Sequence, residues 1–595
     1  MSVVMNLQEA AQAIAATLIG AEDGATVVFR GVSTDSRKID AGQLFIALCG
    51  ENFDGHEFLA TASAAGAVAA VVAADAVAAL PEVALPLMVV EDTRLALGAL
   101  AAAWRSRFVL PLVAVTGSNG KTTSKEMLSS IMRAAHGDAV LATQGNFNND
   151  IGLPLTLLTL SAQHRAAVIE MGMNHPGEIA YLARIARPTV ALVTNAQRAH
   201  LEGMGSIDMI AREKGSVFEE LVSPGVAVFR ADDEWTDLWR EQSTGHATMT
   251  FALDHPAEVT GHYQAHGLDN RLTIKGGGQE VEVTLALPGA HNARNALGAA
   301  AAALAAGVSL EAVGRGLNAF RGIKGRLQRR AGVGGAMLLD DTYNANPDSV
   351  RAGIDVLAST VGKKILVLGD MGEIGDMTGQ FHDEVGGYAK SQGVDLLFAL
   401  GDSSALAAYN FGIGGRHFKK IEDLVPALLP EMTADATVLI KGSRFMRMER
   451  VVEAVAAPIA ERFGRNPARW PHPWSAGAFR VSYPFFRRRF QGENSDTAAH
   501  QSRTRRYSDS LVQRRCRHAQ PAGTSARAGR QPGAAGSDGR HFPRPDPGTG
   551  NVGRALDCNS RGSPPDLRPM APGAALPRPA PGADARHAGE NLLQI

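Results

Sequence analysis

Cysteine is almost missing: Cys49, Cys516 and Cys558 are the only three in 595 residues, far apart and without metal-ligand spacing. No disulfide framework and no structural zinc site can be built from them, and their scarcity fits a reducing compartment. Long apolar runs are missing too. No stretch approaches the roughly 20 consecutive apolar residues that cross a bilayer. Residues 1–24 contain no lysine or arginine, and their apolar positions are spaced as an amphipathic helix, which argues against a secretory leader. Lysine disappears from the end of the chain: from Pro471 onward there are 19 arginines, 9 acids and no lysine. The remainder holds 40 basic and 51 acidic residues, a net of −11, hidden by the overall −1. An acidic body carries no general attraction for nucleic acid. These absences predict a soluble, cytoplasmic protein that neither inserts in a membrane nor binds nucleic acid.

The richest stretch runs from Phe108 to Thr123. Val109 to Val115 reads as a buried parallel strand, Thr116-Gly117 breaks it, and a helical pattern follows Gly120 through Met127, Leu128 and Ile131. Strand, glycine-bounded turn, lysine, hydroxyl and helix is the arrangement that cradles a triphosphate. Backbone N–H groups and the helix N-terminus meet phosphate oxygens, Lys121 reaches the terminal phosphates, and a threonine hydroxyl sits on Mg²⁺. Val115 stands where the full pattern has a glycine, so this is the shorter Gly-x-x-Gly-Lys-Thr form.

At 595 residues the chain should hold several domains. Residues 1–107 alternate short strands with alanine-rich helices, which predicts a small α/β domain. Its polar clusters, Ser33-Thr-Asp-Ser-Arg37 and Asn52-Phe-Asp-Gly-His56, read equally as capped turns or as a grip on a diphosphate or uracil. Residues 108–322 form the second region, a P-loop domain with a parallel sheet. Glu170 ends the strand reading Val168-Ile169, where a metal-holding acid is expected beside a P-loop strand. His200 follows the strand 190–195, and Lys214 lies on a helix; taken singly, each is more often structural. Pro288 to Asn295 opens a long alanine-rich helix whose polar start either caps it or touches a ligand. Residues 323–464 repeat the strand–helix alternation as a doubly wound, Rossmann-like unit, with polar clusters at three strand ends: 341–347, 369–373 and 441–444. Fifteen of the 29 prolines lie in the final 125 residues, and residues 465–595 lack apolar periodicity, so disorder is expected. Arginine, proline, alanine and glycine without lysine is also the composition of a GC-rich gene read out of frame.

Assembled, these segments resemble the Mur ligases, ATP-dependent amide-bond-forming enzymes of peptidoglycan precursor synthesis. The resemblance is carried by Thr116-Gly-Ser-Asn-Gly-Lys-Thr-Thr123, Asp35-Ser-Arg37, Phe53-Asp-Gly-His56, Gly145-Asn-Phe-Asn-Asn-Asp-Ile-Gly152, Asp340-Asp-Thr-Tyr-Asn-Ala-Asn-Pro347, Leu368-Gly-Asp-Met-Gly-Glu373 and Lys441-Gly-Ser-Arg444. It covers residues 1 to about 464. The Asp-Met-Gly-Glu and Lys-Gly-Ser-Arg segments are similar to those of the last-acting member. That member joins D-alanyl-D-alanine to UDP-N-acetylmuramoyl-tripeptide through an acyl phosphate, with ATP giving ADP and phosphate. Rival readings are a sister ligase adding another amino acid and a nucleotide-binding protein without catalysis.

What the resemblance implies can be placed residue by residue. Gly117, Ser118, Asn119, Gly120, Lys121, Thr122 and Thr123 would surround the phosphates. Thr122 and Glu170 would hold one Mg²⁺, and His200 a second, with Lys214 carbamylated at the metal site. His291, Asn292 and Asn295 would meet the adenine. Arg326, Asp341 and Tyr343 would reach the nucleotide from the third domain. Ser36, Arg37, Phe45 and His56 would hold the UDP, and Asn148 and Asn149 would face the muramyl-peptide arm. Asn344, Asn346 and Asp370 would lie near the incoming dipeptide. A monomer is expected. Two departures from the family pattern stand out: Ala196-Gln-Arg198 replaces smaller residues, placing an arginine where it is expected to disturb the second Mg²⁺ site, and Gly-Ser-Val follows Lys214.

Overall fold

Three sheets, whose strands alternate along the chain with their covering helices, carry the architecture of this computed structural model. It describes residues 3–457 except 22, 51, 52, 81–83 and 267. The disorder expected for 465–595 concerns residues outside that range. Among the described residues no helix is long and apolar enough to cross a membrane.

The first sheet has five strands in the order 17–19, 87–90, 69–73, 44–46 and 32–33, parallel except for the first. The amphipathic helix expected over residues 1–24 is confined to Leu7–Ala13. Val4–Asn6 before it is a strand paired with Val28–Arg30, and Thr17–Ile19 after it is another. Ala15, at φ +52°, turns the chain out of the helix, and the β-branched Thr17 and Ile19 favour an extended backbone.

The second sheet has nine strands, ordered 140–142, 166–170, 112–116, 190–193, 226–230, 247–253, 259–266, 269–276 and 279–285. Seven run parallel. The expected parallel sheet is therefore extended by two antiparallel strands. The reason is local: Leu272 and Ile274, then Val283 and Leu285, alternate inward, and Gly277 and Gly278 both take positive φ, as a two-residue hairpin turn demands. Helix Lys121–His136 buries Met127, Leu128, Ile131 and Met132 against Val113 and Val115 of the central strand. Helix Ala290–Ala305 lies beside it, with an unbroken run of buried small residues from Gly298 to Ala303. Helix Leu310–Ala319 comes so close that a Cβ on Gly316 would lie 2.3 Å from the Cα of Ile131.

The third sheet has six strands in the order 328–331, 337–341, 436–441, 363–369, 396–400 and 415–418. The first is antiparallel and the rest are parallel, as expected of a doubly wound unit. Register places Asp341 directly beside Lys441.

Candidate active site

The central strand Leu112–Thr116 delivers the chain into the loop 117–120. Gly117 has φ +142° and Gly120 φ +82°, both in the region that favours glycine. Space is equally restrictive: a Cβ on Gly117 would meet Thr194 Oγ1 at 1.9 Å, and one on Gly120 would meet Asn295 Oδ1 at 2.2 Å. The neighbouring strand end staples the loop. Ser118 N–H donates to the Asn195 carbonyl (3.0 Å) and Asn119 N–H to Asn195 Oδ1 (2.9 Å), while Thr194 Oγ1 donates to the Asn119 carbonyl (2.7 Å). Ser118 Oγ and the Gln197 backbone bond reciprocally. The amides of Ser118 and Asn119, expected to face phosphate, are therefore engaged by Asn195. Helix Lys121–His136 begins with no side-chain cap, which leaves its first-turn amides to an anion. Lys121 Nζ folds over the loop, donating to the carbonyls of Gly117 (2.7 Å) and Ser118 (3.2 Å). Burial lowers its pKa, with the Glu170 charge opposing.

Strand Ala166–Glu170 pairs with the central strand so that Glu170 sits beside Val115. Its Oε1 accepts from Asn148 Nδ2 (2.8 Å) and Thr122 Oγ1 (3.3 Å). Its Oε2 is buried without a hydrogen-bond partner. An anionic oxygen buried without a donor, next to a hydroxyl and an uncapped helix start, is a donor set that suits a hard divalent cation. Arg326 Nη2 points at Thr122 Oγ1 (3.4 Å), and its guanidinium carbon stacks 4.1 Å from the Tyr343 ring centre.

His200 and Lys214 join this group. His200 takes φ +59° and its Nδ1 pairs at 3.1 Å with Oε2 of Glu373. The His200 hydrogen bond holds the Glu373 carboxyl below its usual range. Burial lowers the His200 pKa, partly offset by Glu373, and the charges of Lys121 and Lys214 push in the same direction as burial. Lys214 is 1 % exposed. Burial, then the Lys121 charge, pushes its pKa well below the usual lysine range. Glu373 carried no assigned role in the sequence; only its position at a strand-end motif marked it. Arg198, expected beside the second metal site, donates from its guanidinium to Asp348 and Glu384 of the third domain.

A cavity of about 150 Å³ opens beside the loop, lined by His291, Asn292, Arg294, Asn295, Arg326 and Asp341 among others. Asn292 Nδ2 donates to the Pro288 carbonyl (2.7 Å) and Asn295 Nδ2 to Asn292 Oδ1 (3.2 Å), which fixes both amides. Arg294, which the sequence reading passed over, lines the cavity with a buried Nε that has no hydrogen-bond partner. Burial pushes His291 down to about 4. Below about pH 6.5 the unfolded chain's imidazole takes up a proton that the folded one refuses until about pH 4, so this residue removes stability as pH falls through that window. Denaturant unfolding at pH 7 and pH 5 should show the loss, at most about 2 kcal/mol, and His291→Asn should flatten it.

At the far wall, Lys441 Nζ donates to Asp341 Oδ2 (2.6 Å) and to the Asn344 carbonyl (2.9 Å), while Asp341 Oδ1 accepts from Leu327 N–H (3.1 Å). Both charges are buried. Lys441→Met, which strands the Asp341 carboxylate, should destabilise the protein by about 3–5 kcal/mol. Adding Asp341→Asn should return most of it in urea unfolding.

The other expected substrate residues are dispersed. Arg37 is 81 % exposed and pairs with Asp35 (2.8 Å), and Ser36 begins the same short turn. Asn149 Oδ1 accepts from the N–H of Gly152 (2.8 Å), the first residue of the helix Gly152–Leu157. Asn346 exchanges side-chain hydrogen bonds with Asn119 of the nucleotide loop (2.8 and 3.3 Å). Three further residues expected near substrate have partners within their own domains. Phe45 is buried in the first domain with Leu59 and Val72. Asp370 accepts the N–H groups of Ser404 (2.7 Å) and Ser403 (3.3 Å). His56 Nε2 accepts from Ala73 N–H (2.9 Å), so its proton lies on Nδ1 and is held by Asp54 at 2.6 Å. Cys49 joins that pair within metal-ligand reach, but an imidazole whose Nε2 lone pair is taken and whose Nδ1 bears the proton has none to give a cation.

Fold and site together define a P-loop nucleotide-binding protein of three α/β domains, with its site closed by residues of the third. Family models match along the same division: the Mur ligase family catalytic domain over residues 28–105, the Mur ligase middle domain over 115–303, and the Mur ligase glutamate ligase domain over 325–444. The UDP-N-acetylmuramoyl-tripeptide–D-alanyl-D-alanine ligase of Haemophilus influenzae is 41 % identical over 451 residues, covering 74 % of this chain and 96 % of the relative. That of Escherichia coli is 40 % identical over 444 residues, covering 74 % and 96 %. The crystal structure of MurF from Acinetobacter baumannii superposes with a TM-score of 0.71 at 35 % identity, covering 76 % of this chain and 98 % of that one. MurF from Thermotoga maritima in complex with ADP gives a TM-score of 0.64 at 27 % identity, covering 71 % and 96 %. The chain belongs to the Mur ligase family.

Proposed function

We propose that this protein joins D-alanyl-D-alanine to UDP-N-acetylmuramoyl-tripeptide, with ATP converted to ADP and phosphate, in cytoplasmic peptidoglycan precursor synthesis. The relatives that support this are ligases of that name. The observation that carries it is the convergence of Lys121, Thr122, Glu170 and Arg326 on one loop, with a Glu170 oxygen left unpartnered.

In this reading residues 1–107 bind the UDP moiety through Ser36, Arg37 and their neighbours, 108–322 bind ATP, and 323–464 bring the dipeptide. Lys121 and the first-turn amides hold the β- and γ-phosphates in line with the tripeptide carboxylate. Thr122 and Glu170 hold one Mg²⁺, which neutralises phosphate charge when bound. His200 and Lys214 belong to a second. Burial and the Lys121 charge push the Lys214 amine toward its neutral form, the form that takes up CO₂, so a carbamate on Lys214 would turn a repelled cation into an anionic ligand. His291, Asn292 and Asn295 hold the adenine, and Asp341 and Tyr343 bound it from the third domain. Arg326 is placed to meet the phosphate charge that develops in the transition state. Asn148 and Asn149 face the peptide arm, and Asn344 and Asn346 the dipeptide, whose amine attacks the acyl phosphate and expels phosphate. The protein acts as a monomer.

The test is phosphate release by the full chain with ATP, Mg²⁺ and UDP-muramoyl-tripeptide, with and without D-Ala-D-Ala. Release that requires the dipeptide, with product mass raised by that dipeptide, is expected. Release that requires a free amino acid instead would assign a sister reaction, and nucleotide binding without any release would assign a non-catalytic role.

A further inference from the structure

The loop after strand Val190–Val193 contains one strongly bound charge for which the nucleotide chemistry has no use. Arg198 donates from its backbone N–H to Asp348 Oδ2 (2.9 Å), from Nε to both Asp348 oxygens (3.0 and 3.2 Å) and from Nη2 to Asp348 Oδ1 (2.6 Å). The same guanidinium reaches Glu384 through Nη1 (2.8 Å) and Nη2 (3.2 Å). Its carbon lies 5.2 Å from the Phe381 ring centre. Glu384 also accepts from Arg351 (2.8 Å), so two arginines face two carboxylates and the cluster is balanced.

The two sides of this cluster belong to different parts of the chain. Arg198 sits one residue from Gln197, which is bonded to Ser118 and Asn119 of the nucleotide loop. Asp348 lies in the first turn of helix Pro347–Ala358, whose N-cap is Asn346, and Glu384 lies in helix Thr378–Ser391. Both helices cover the third sheet. Asn346 in turn exchanges hydrogen bonds with Asn119. A planar guanidinium gripping one carboxylate through two nitrogens and a second through the remaining face fixes orientation as well as distance.

We propose that Arg198 is a positioning residue that latches the third domain over the nucleotide loop: by holding Asp348 and Glu384 it sets Asn346 against Asn119 and holds the third-domain end of the site closed. The catalytic side of this inference rests on the ligase reading above; the structural side does not. The cluster is only partly buried, with Arg198, Asp348 and Glu384 side chains 19, 22 and 29 % exposed, so salt reaches it and weakens it. Arg198 touches no reacting atom. Its effect passes through the closing equilibrium, which a ligand-bound site needs on every turnover.

The test uses the full chain with Mg²⁺ and ADP, comparing wild type with Arg198→Ala and Arg198→Lys by hydrogen exchange and by steady-state kinetics. Arg198→Ala should speed exchange in 195–204 and 344–352 while leaving helix 121–136 unchanged. It should lower kcat/KM for ligation about tenfold. Arg198→Lys should recover part of both, since it keeps the charge but not the two-pronged grip. Raising NaCl should carry the wild-type rate toward that of the alanine variant and leave the variant little changed. Unchanged exchange at 344–352 in Arg198→Ala would overturn the latch whatever the kinetics show, and so would faster exchange throughout the chain that lysine does not rescue. If wild type fails to ligate, the ligase reading falls, while the exchange comparison still decides the latch.

Discussion

Replacing Gly117 by alanine should weaken MgADP binding at least a hundredfold and lower the thermal unfolding midpoint. Two independent penalties act at this position. The backbone stands at φ +142°, a conformation that costs a residue bearing a Cβ about 1–3 kcal/mol. The new methyl would also overlap Thr194 Oγ1, 1.9 Å away, with the Thr194 backbone nitrogen at 3.1 Å. Moving Thr194 to relieve the overlap breaks its bond to the Asn119 carbonyl and so loosens the same loop. Adding Thr194→Ala should therefore recover part of the unfolding midpoint and little of the affinity. Titration calorimetry with MgADP on both variants checks this; wild-type affinity in Gly117→Ala would show that the loop does not hold the phosphates.

Glu170→Gln should reduce phosphate release about 10²–10³-fold at saturating ATP while the protein stays folded. Glutamine keeps the acceptor that Asn148 and Thr122 use. It removes the negative charge, and it puts an amide nitrogen where Glu170 now has a buried oxygen without a donor. Lys121 would lose the carboxylate charge that opposes the effect of burial on its pKa. The Mg²⁺ concentration giving half-maximal rate should rise as the rate falls. Turnover at the wild-type rate would remove Glu170 from the site, and circular dichroism separates a chemical defect from a folding one.

Much of this site was legible because it is local. The strand–loop–helix around Lys121 needs only sixteen consecutive residues, and Glu170 was found by the rule that ligands gather at the carboxyl ends of parallel strands. Contacts made far along the chain were not legible. Asn119 with Asn346, and Arg198 with Asp348 and Glu384, join positions 150 to 227 residues apart, and no periodicity announces such pairs. Arg198 in particular was expected beside a metal site, and nothing in its local sequence announces that its guanidinium reaches two carboxylates of the third domain. His56 and Asp370 stand in family-like segments, and the partners their side chains take, a histidine–aspartate bond and an amide cap, are contacts that a motif does not announce. The antiparallel extension of the second sheet was available in the alternation of residues 270–285 and the paired glycines at its turn, and went unread beside the stronger parallel pattern.

The close approach of helix Ala290–Ala305 to the nucleotide loop, where a Cβ on Gly120 would meet Asn295 Oδ1 at 2.2 Å, and its run of buried small residues have a thermodynamic consequence for the ligand. The helix that begins at Lys121 and the helix that presents His291, Asn292 and Asn295 bury their apolar side chains in one cluster, and Ser124 Oγ donates to the Asn295 carbonyl (3.4 Å). The two halves of the nucleotide pocket are thus fixed relative to each other before any nucleotide arrives. Binding to the second domain should accordingly carry little ordering entropy, and the entropic cost of the reaction should fall on docking the third.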